Sequence, residues 1–253
     1  GEVIVLNSVN LLENNTISLQ HSDRLDSEHA GRGIPNYLGA VVIAPDGVSG
    51  WVPSKQDNIL RGIGRDGQPL THDLTVRAIS SYIEMSTGVE DINSRVDLDN
   101  ASVASAATFD KYGNYLFVAL EGNRAVGVID AYKPSNGEMF RFDVGSAPQA
   151  LQISADGLKL YVHNFMDRSI GVYDLTTLIT TGEREVTELA VMSAVSKENL
   201  SLDVFEGKQL FYDASDLRLA SESYMSCASC HSDGAHDGRV WDFTQFGEGF
   251  RNT

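Results

Sequence analysis

Apolar and polar positions alternate in short runs over most of this chain and change to a helical spacing only near residue 195. The alternating runs are rich in Val, Ile, Tyr and Phe and are bounded by turn residues. That is strand chemistry, because successive side chains of a strand point to opposite faces. The pattern also repeats. The run from Gly113 to Asp130 lines up with the run from Gly157 to Asp174. Leu116, Val118, Arg124, Gly127, Val128 and Asp130 match Leu160, Val162, Arg168, Gly171, Val172 and Asp174, each pair 44 positions apart (116 to 160, for example). This period lies in the range of roughly 40–50 residues per blade of a β-propeller. In each copy a turn (Lys111, Tyr112 and Gly113, or Ala155, Asp156 and Gly157) precedes a strand. A polar turn ending in Arg follows, and then a second strand closing on Asp.

A more diverged copy begins at Ala44, Pro45, Asp46 and Gly47 and runs through Trp51 to Arg61. Val3 to Asn7 resembles the closing strand at 126–130, so the chain is expected to open in mid-blade. About three blades and a stray strand are therefore expected, whereas a closed propeller has roughly four to eight. The rest is expected upstream in a longer polypeptide or in another chain. Residues 10–37 and 62–98 are polar and read as long loops. Between 75 and 85 the pattern fits a strand or a short helix equally well. From Ser201, a plausible N-cap, the spacing places Leu202, Phe205, Leu210 and Phe211 towards one helical face. Helix is expected to continue from Leu217 to Met225, and residues 233–253 read as loop.

The chain's two cysteines are Cys227 and Cys230, followed at once by His231. Two thiols at this spacing can add to the two vinyl groups of one haem, and the next residue then offers an imidazole to the iron: this is c-type haem attachment. Two rival readings remain beside it. A Cys-x-x-Cys pair can be a dithiol redox site, but that motif belongs after a strand and at the start of a helix in a βαβ unit, which this sequence does not suggest. It can be half of a zinc site, but there is no second cysteine pair, and apart from His236 no histidine has ligand-like spacing.

Residues 207–214 (Gly207 to Ala214), followed by Ser226 to His231, resemble the first haem site of the bacterial di-haem cytochrome c peroxidase family. Asp233 to Phe243 and Gly247 to Thr253 resemble a branch of that family fused to β-propellers. Tyr161, Val162, His163 and Asn164 occupy the place of the Tyr-Val-Thr-Asn tetrapeptide of a bacterial propeller repeat, with His163 in place of Thr. The resemblance implies one haem c held by Cys227 and Cys230, with His231 as proximal ligand to its iron. The family's second attachment motif is absent, and its peroxide chemistry uses two haems. The expected architecture is mainly β: a partial propeller over residues 1–195, then a small α-helical c-type cytochrome segment over residues 196–253. That segment is short of the roughly 80–100 residues usual for such a domain, so it too is expected to be incomplete. Three functions follow: electron transfer through one haem, a share in a di-haem peroxidase or oxidase, or a propeller binding scaffold with the haem as relay.

The sixth ligand decides between an electron carrier and an open, peroxide-accessible iron. His236 is a possible distal ligand, although it lies only five residues past His231; Met225, Met166, Met192 and His163 are weaker candidates. Trp241 and Phe243 are expected to pack on the haem or in the core. Arg239 and Arg251 suit a haem propionate or surface pairs. His21, His29 and His72 read as solvated loop residues. Asp233, Asp237 and Asp242 offer oxygen ligands for calcium, without EF-hand spacing.

The net charge of −16 disfavours nucleic-acid binding and suits a basic redox partner protein. No apolar run reaches 18 residues, so no membrane span is expected. The first residues lack the marks of a signal peptide. Because haem is attached to thiols outside the bacterial cytoplasm, a periplasmic or cell-surface location is expected.

Overall fold

The computed structural model describes residues 1–252 and is mainly β, built from several antiparallel sheets. The two sequence repeats each form a four-stranded meander. The first runs through Ala104–Phe109, Tyr115–Leu120, Ala125–Asp130 and Glu138–Asp143; the second through Pro148–Ile153, Lys159–Asn164, Ser169–Asp174 and Thr187–Ser193. The repeat extends to local detail. Bulges fall between Ala104 and Ala106 and between Pro148 and Ala150, and again between Val128 and Ile129 and between Val172 and Tyr173. Arg124 and Arg168, which end the matching turns, are both left-handed at φ 51° and 52°.

The first meander is covered on both faces. Leu116, Val118, Leu120 and Ile129 pack against Trp51, Ala78, Val96 and Leu98 of the preceding sheet. Phe117, Val126 and Val128 pack against Leu160, Val162 and Tyr173 of the second meander. Burial on both faces suits its two central strands, Tyr115–Leu120 and Ala125–Asp130, which are apolar along nearly their whole length. In the second meander the outer strand Thr187–Ser193 is exposed along its whole length.

The N-terminal third departs from expectation. Glu2–Leu6 does not close a blade; it pairs with Glu13–Ser18 in a two-stranded hairpin. The turn is closed by Asn7, whose side-chain oxygen accepts the N–H groups of Val9 and Asn10. The stretches read as loops also contain strands. Ser22–Ser27, Ala30–Asn36, Ser49–Asp57, Val76–Glu84 and Val89–Glu90 form one sheet, joined by Val42–Ile43 and Val96–Leu98. Ser49–Asp57 is buried throughout and pairs with Val76–Glu84 over its full nine residues. A single helical turn, His72–Thr75, precedes that partner. Val76–Glu84 takes the strand alternative of the stretch 75–85, and Ser49–Asp57 lies in the diverged copy. Ser22–Ser27 and Ala30–Asn36 escaped the hydrophobic pattern because ion pairs hold them: Arg24 meets buried Asp97 at 2.5 Å, and Arg32 reaches Asp23 and Asp66.

Helix Leu202–Tyr212 forms with Ser201 at its N-cap, as its spacing predicts. Its inward contacts differ, however: Tyr212 is buried while Leu202 and Leu210 stay exposed. No helix spans 217–225; the segment holds only the short turn Ser221–Ser223, with Glu222 and Ser223 at positive φ. Residues 240–252 are not all loop, since Val240–Asp242 pairs with Phe250–Asn252.

Candidate haem-attachment site

The Cys-Ala-Ser-Cys-His run sits on one 3₁₀ turn, Cys227–Ser229, and not on an α-helix. Its two spacer residues face the rest of the molecule. Ala228 packs with Ala147, Met166 and Tyr212. Ser229 is fully buried, accepts the Ser226 N–H at 2.9 Å and lies 3.0 Å from the hydroxyl of Ser102. At Ser229 a larger side chain would have no room. Neither thiol is in a disulfide, and that of Cys230 is hydrogen-bonded to Asp237.

Their surroundings differ. Cys227 is exposed and borders a groove of about 230 Å³ with Met225 and Leu219. Cys230 packs in a cluster with Leu70, Val76, Trp241, Met225 and Phe243, and burial pushes its thiol up to about 11. It lines a second cavity of about 260 Å³, walled by Met225, Trp241, Phe243, Phe246, Leu70 and His72. Met225 borders both spaces. The Nδ1 atom of His231 lies 3.0 Å from the carbonyl oxygen of Ala235. A carbonyl only accepts, so in the neutral ring Nδ1 is the nitrogen that carries the proton. This is the tautomer of a metal-ligating histidine oriented by a backbone carbonyl. The residues of a haem-attachment motif are all present, but the two thiols border different spaces and exposed His231 lines neither, so neither cavity by itself frames a haem.

A buried polar network fixes the segment to the N-terminal sheet. Lys55, on the strand Ser49–Asp57, is fully buried; its ammonium lies 3.0 Å from Asp57, 3.5 Å from Asp237 and 4.4 Å above the Tyr37 ring. Asp237 also accepts the Trp241 indole N–H at 2.8 Å, Arg239 reaches Asp57 at 3.3 Å, and the Tyr37 hydroxyl donates to the Cys230 carbonyl at 2.9 Å. The Gly64 N–H donates to Asp242 at 2.6 Å. Neighbouring Gly62 has φ +143°, and a Cβ there would run into that carboxylate, so the close approach requires glycine.

The repeat arginines hold the same segment from the meanders. Arg124 pairs with Asp213 at 2.6 Å, and Arg168 with Glu198 at 2.9 Å. Arg168 also lies over the rings of Phe165 and Phe205.

The remaining candidates are placed as follows. His236 is exposed, and its Nδ1 accepts the Gly238 N–H at 3.1 Å. Met166 is buried beneath Ala228. Met192 is exposed on the outer strand, and the His163 ring lies near Phe165. Trp241 is buried and Phe243 partly so, both in the Cys230 cluster. Arg251 sits 3.8 Å from Glu248. Asp233 accepts the Tyr212 hydroxyl at 3.0 Å. Together with the bonds of Asp237 and Asp242, this engages all three candidate calcium carboxylates with protein donors. Among the described residues no three His, Cys, Asp or Glu side chains gather as a metal site.

Sequence reasoning missed Glu121, Lys55 and His72. His72 was expected in solvent. Instead it is half-buried, its ring 6.0 Å from that of Tyr224, on the wall of the Cys230 cavity. Glu121, half-buried in the structure, lines a third cavity of about 230 Å³ with Tyr37, Ser105, Ala228 and Ser232. Burial pushes its carboxyl up to about 7 despite the hydrogen bond from Gln149. No sequence signal marks these residues, because their surroundings are assembled from distant parts of the chain.

No family model and no curated protein matches this chain. Similar solved structures include hydrazine synthase of Kuenenia stuttgartiensis, at 14% identity over 68% of this chain and 64% of that one, with a TM-score of 0.45. The periplasmic gluconolactonase of Pseudomonas aeruginosa is 13% identical over 73% and 69%, with a TM-score of 0.42. The Cps50 (Swd1) β-propeller domain of Myceliophteria thermophila is 14% identical over 76% and 65%, with a TM-score of 0.40. The chain spans less than two thirds of the length of the first and third of these. At this level the likenesses carry nothing about activity.

Proposed function

We propose that this chain is part of an extracytoplasmic c-type cytochrome, transferring electrons through one haem held beside a partial β-propeller. The observation that carries the reading is the His231 ring, oriented through Nδ1 by the Ala235 carbonyl, next to two unbridged thiols. Bound haem supplies a one-electron couple at its iron. Cys227 and Cys230 would hold it as thioethers, and Nε2 of His231 would face the iron. Met225, Trp241 and Phe243 supply an apolar surface beside Cys230. The Lys55 network ties the motif segment to the N-terminal sheet. A net charge of −16 favours encounter with a basic redox protein.

The test is intact mass with a visible spectrum, after expression in a bacterium that attaches haem to cysteines. The expected result is a mass increase of one haem, lost when Cys227 and Cys230 are both replaced by Ser. His231→Ala should keep the mass gain and change the spectrum. A mass equal to the bare polypeptide would remove the proposal. A five-coordinate ferric spectrum with rapid reaction towards peroxide would replace electron transfer by the peroxidase reading that the sequence resemblance raises.

A further inference from the structure

Resting on the cytochrome reading above, we infer that the outward stripe of helix Leu202–Tyr212, with the groove it leads into beside Cys227, is the docking surface for a basic redox protein. Residues three and four apart share a helix face, so Leu202, Glu206 and Leu210 form one line along it, with Asp203 beside them. All four are exposed, Leu202 at 69% and Leu210 at 45%. The inward side of the helix is engaged elsewhere. Phe211 and Tyr212 pack with Ala147 and Met166, and the Lys208 ammonium lies 4.7 Å from the centre of the Phe165 ring. Leu210 also lines the groove of Cys227 together with Leu219, itself 62% exposed. Isolated exposed leucines are ordinary on a protein surface, but an apolar stripe that continues into a groove marks a contact surface. This one ends at an exposed thiol, where the proposed thioether would mark an edge of the haem.

The charge on this surface selects the occupant. Asp213, at the groove, is paired with Arg124 at 2.6 Å, and Asp216 with Arg218 at 2.5 Å. Asp203 and Glu206 meet no cation among the described residues. The exposed line therefore carries two uncompensated negative charges between its leucines. A second copy of this chain would set the same carboxylates against each other, and the phosphates of a nucleic acid or an anionic membrane would be repelled. A protein that offers lysines or arginines around an apolar spot meets both features. Contacts between electron-transfer proteins are small, below about 1,200 Å² in total. A helix of 11 residues spans about 16 Å, which suits one side of so small a contact. Rim charges of this kind set the encounter rate, and the apolar centre sets the residence time.

The test uses the full haem-loaded chain with a small basic cytochrome c as probe, read by stopped-flow electron exchange and by binding calorimetry at low salt. Asp203→Lys with Glu206→Lys should slow association by on the order of tenfold and flatten its salt dependence. Glu183→Lys with Glu185→Lys changes the net charge by the same amount. That pair lies on the exposed loop before Thr187, at the opposite end of the strand Ser169–Asp174 from Phe165, and should slow association far less. Leu210→Ser should weaken binding severalfold, chiefly through faster dissociation, with unfolding curves checking that each variant is folded. Equal slowing by the two charge-reversed pairs would overturn the assignment, because overall acidity would then account for the encounter. A Leu210→Ser protein that binds like the wild type would overturn it as well. Calorimetry needs no electron transfer, so the two failures are distinguishable. A chain whose mass shows no haem but whose binding follows these variants loses the cytochrome reading and keeps the dock; a haem-bearing chain whose binding ignores them loses the dock alone.

Discussion

Glu121 lies where the first meander meets the Cys–His segment, with Gln149 donating to its carboxylate at 3.2 Å. The charges facing it come from several elements: Asp233 after the motif, Tyr212 on the helix, and the Arg124–Asp213 pair beside it. Burial favours the neutral acid, so the folded protein holds a proton that the unfolded chain releases near pH 4.5. A raised carboxyl pKa means stability present at low pH and lost as pH rises. Glu121 should therefore destabilise the fold progressively between about pH 4.5 and 7. Glu121→Gln should flatten that part of the profile and raise stability at pH 8 by on the order of 1–3 kcal/mol, measured by urea unfolding across the pH range. A profile unchanged by the substitution would exclude a buried ionisable role. Cys227, Cys230 and His231 stand out in the sequence by their spacing alone, and the structure places them on and just after one short turn. Glu121 and His72 do not stand out, since Gln149, Ala228 and Ser232, or Cys230 and Trp241, reach them only through the fold.

Among elements, the two meanders were the most legible, because one face-to-face packing problem is solved twice with the same residues 44 positions apart (109 and 153 end their first strands). The strand Ser49–Asp57 was harder to read. It buries Ser54, Lys55, Gln56 and Asp57 along with Trp51 and Val52, so charge pairing stands where apolar alternation was sought. The Lys55 ammonium lies between two buried carboxylates. Lys55→Met leaves Asp57 with Arg239 at its margin and Asp237 with the Trp241 indole. The expected loss is about 3 kcal/mol, at the low end for a broken buried pair. Adding Asp57→Asn should recover part of it in a double-mutant cycle. If the single and double variants were equally unstable, the ammonium would not be neutralising that carboxylate.

At the scale of the whole molecule the acidic surface is the dominant long-range property. Electron exchange with a cationic redox protein should slow severalfold between about 0.01 M and 0.15 M salt, as the screening length falls from about 30 to 8 Å. Stopped-flow measurement with cationic and anionic partners separates this from a specific dock, since the anionic partner should speed up with salt. The mainly β class was readable from composition and periodicity. How the last 50 or so residues sit was not, because arginine pairs, a buried lysine and single glycines hold them. The inward-facing spacer also fixes an order of events. Ala228 packs with Met166, and Ser229 meets the hydroxyl of Ser102, so under the proposed haem attachment the folded chain would present only the outer side of the run to an attachment enzyme. Modification would then come before the tail docks, and docking would act as a clasp that locks last.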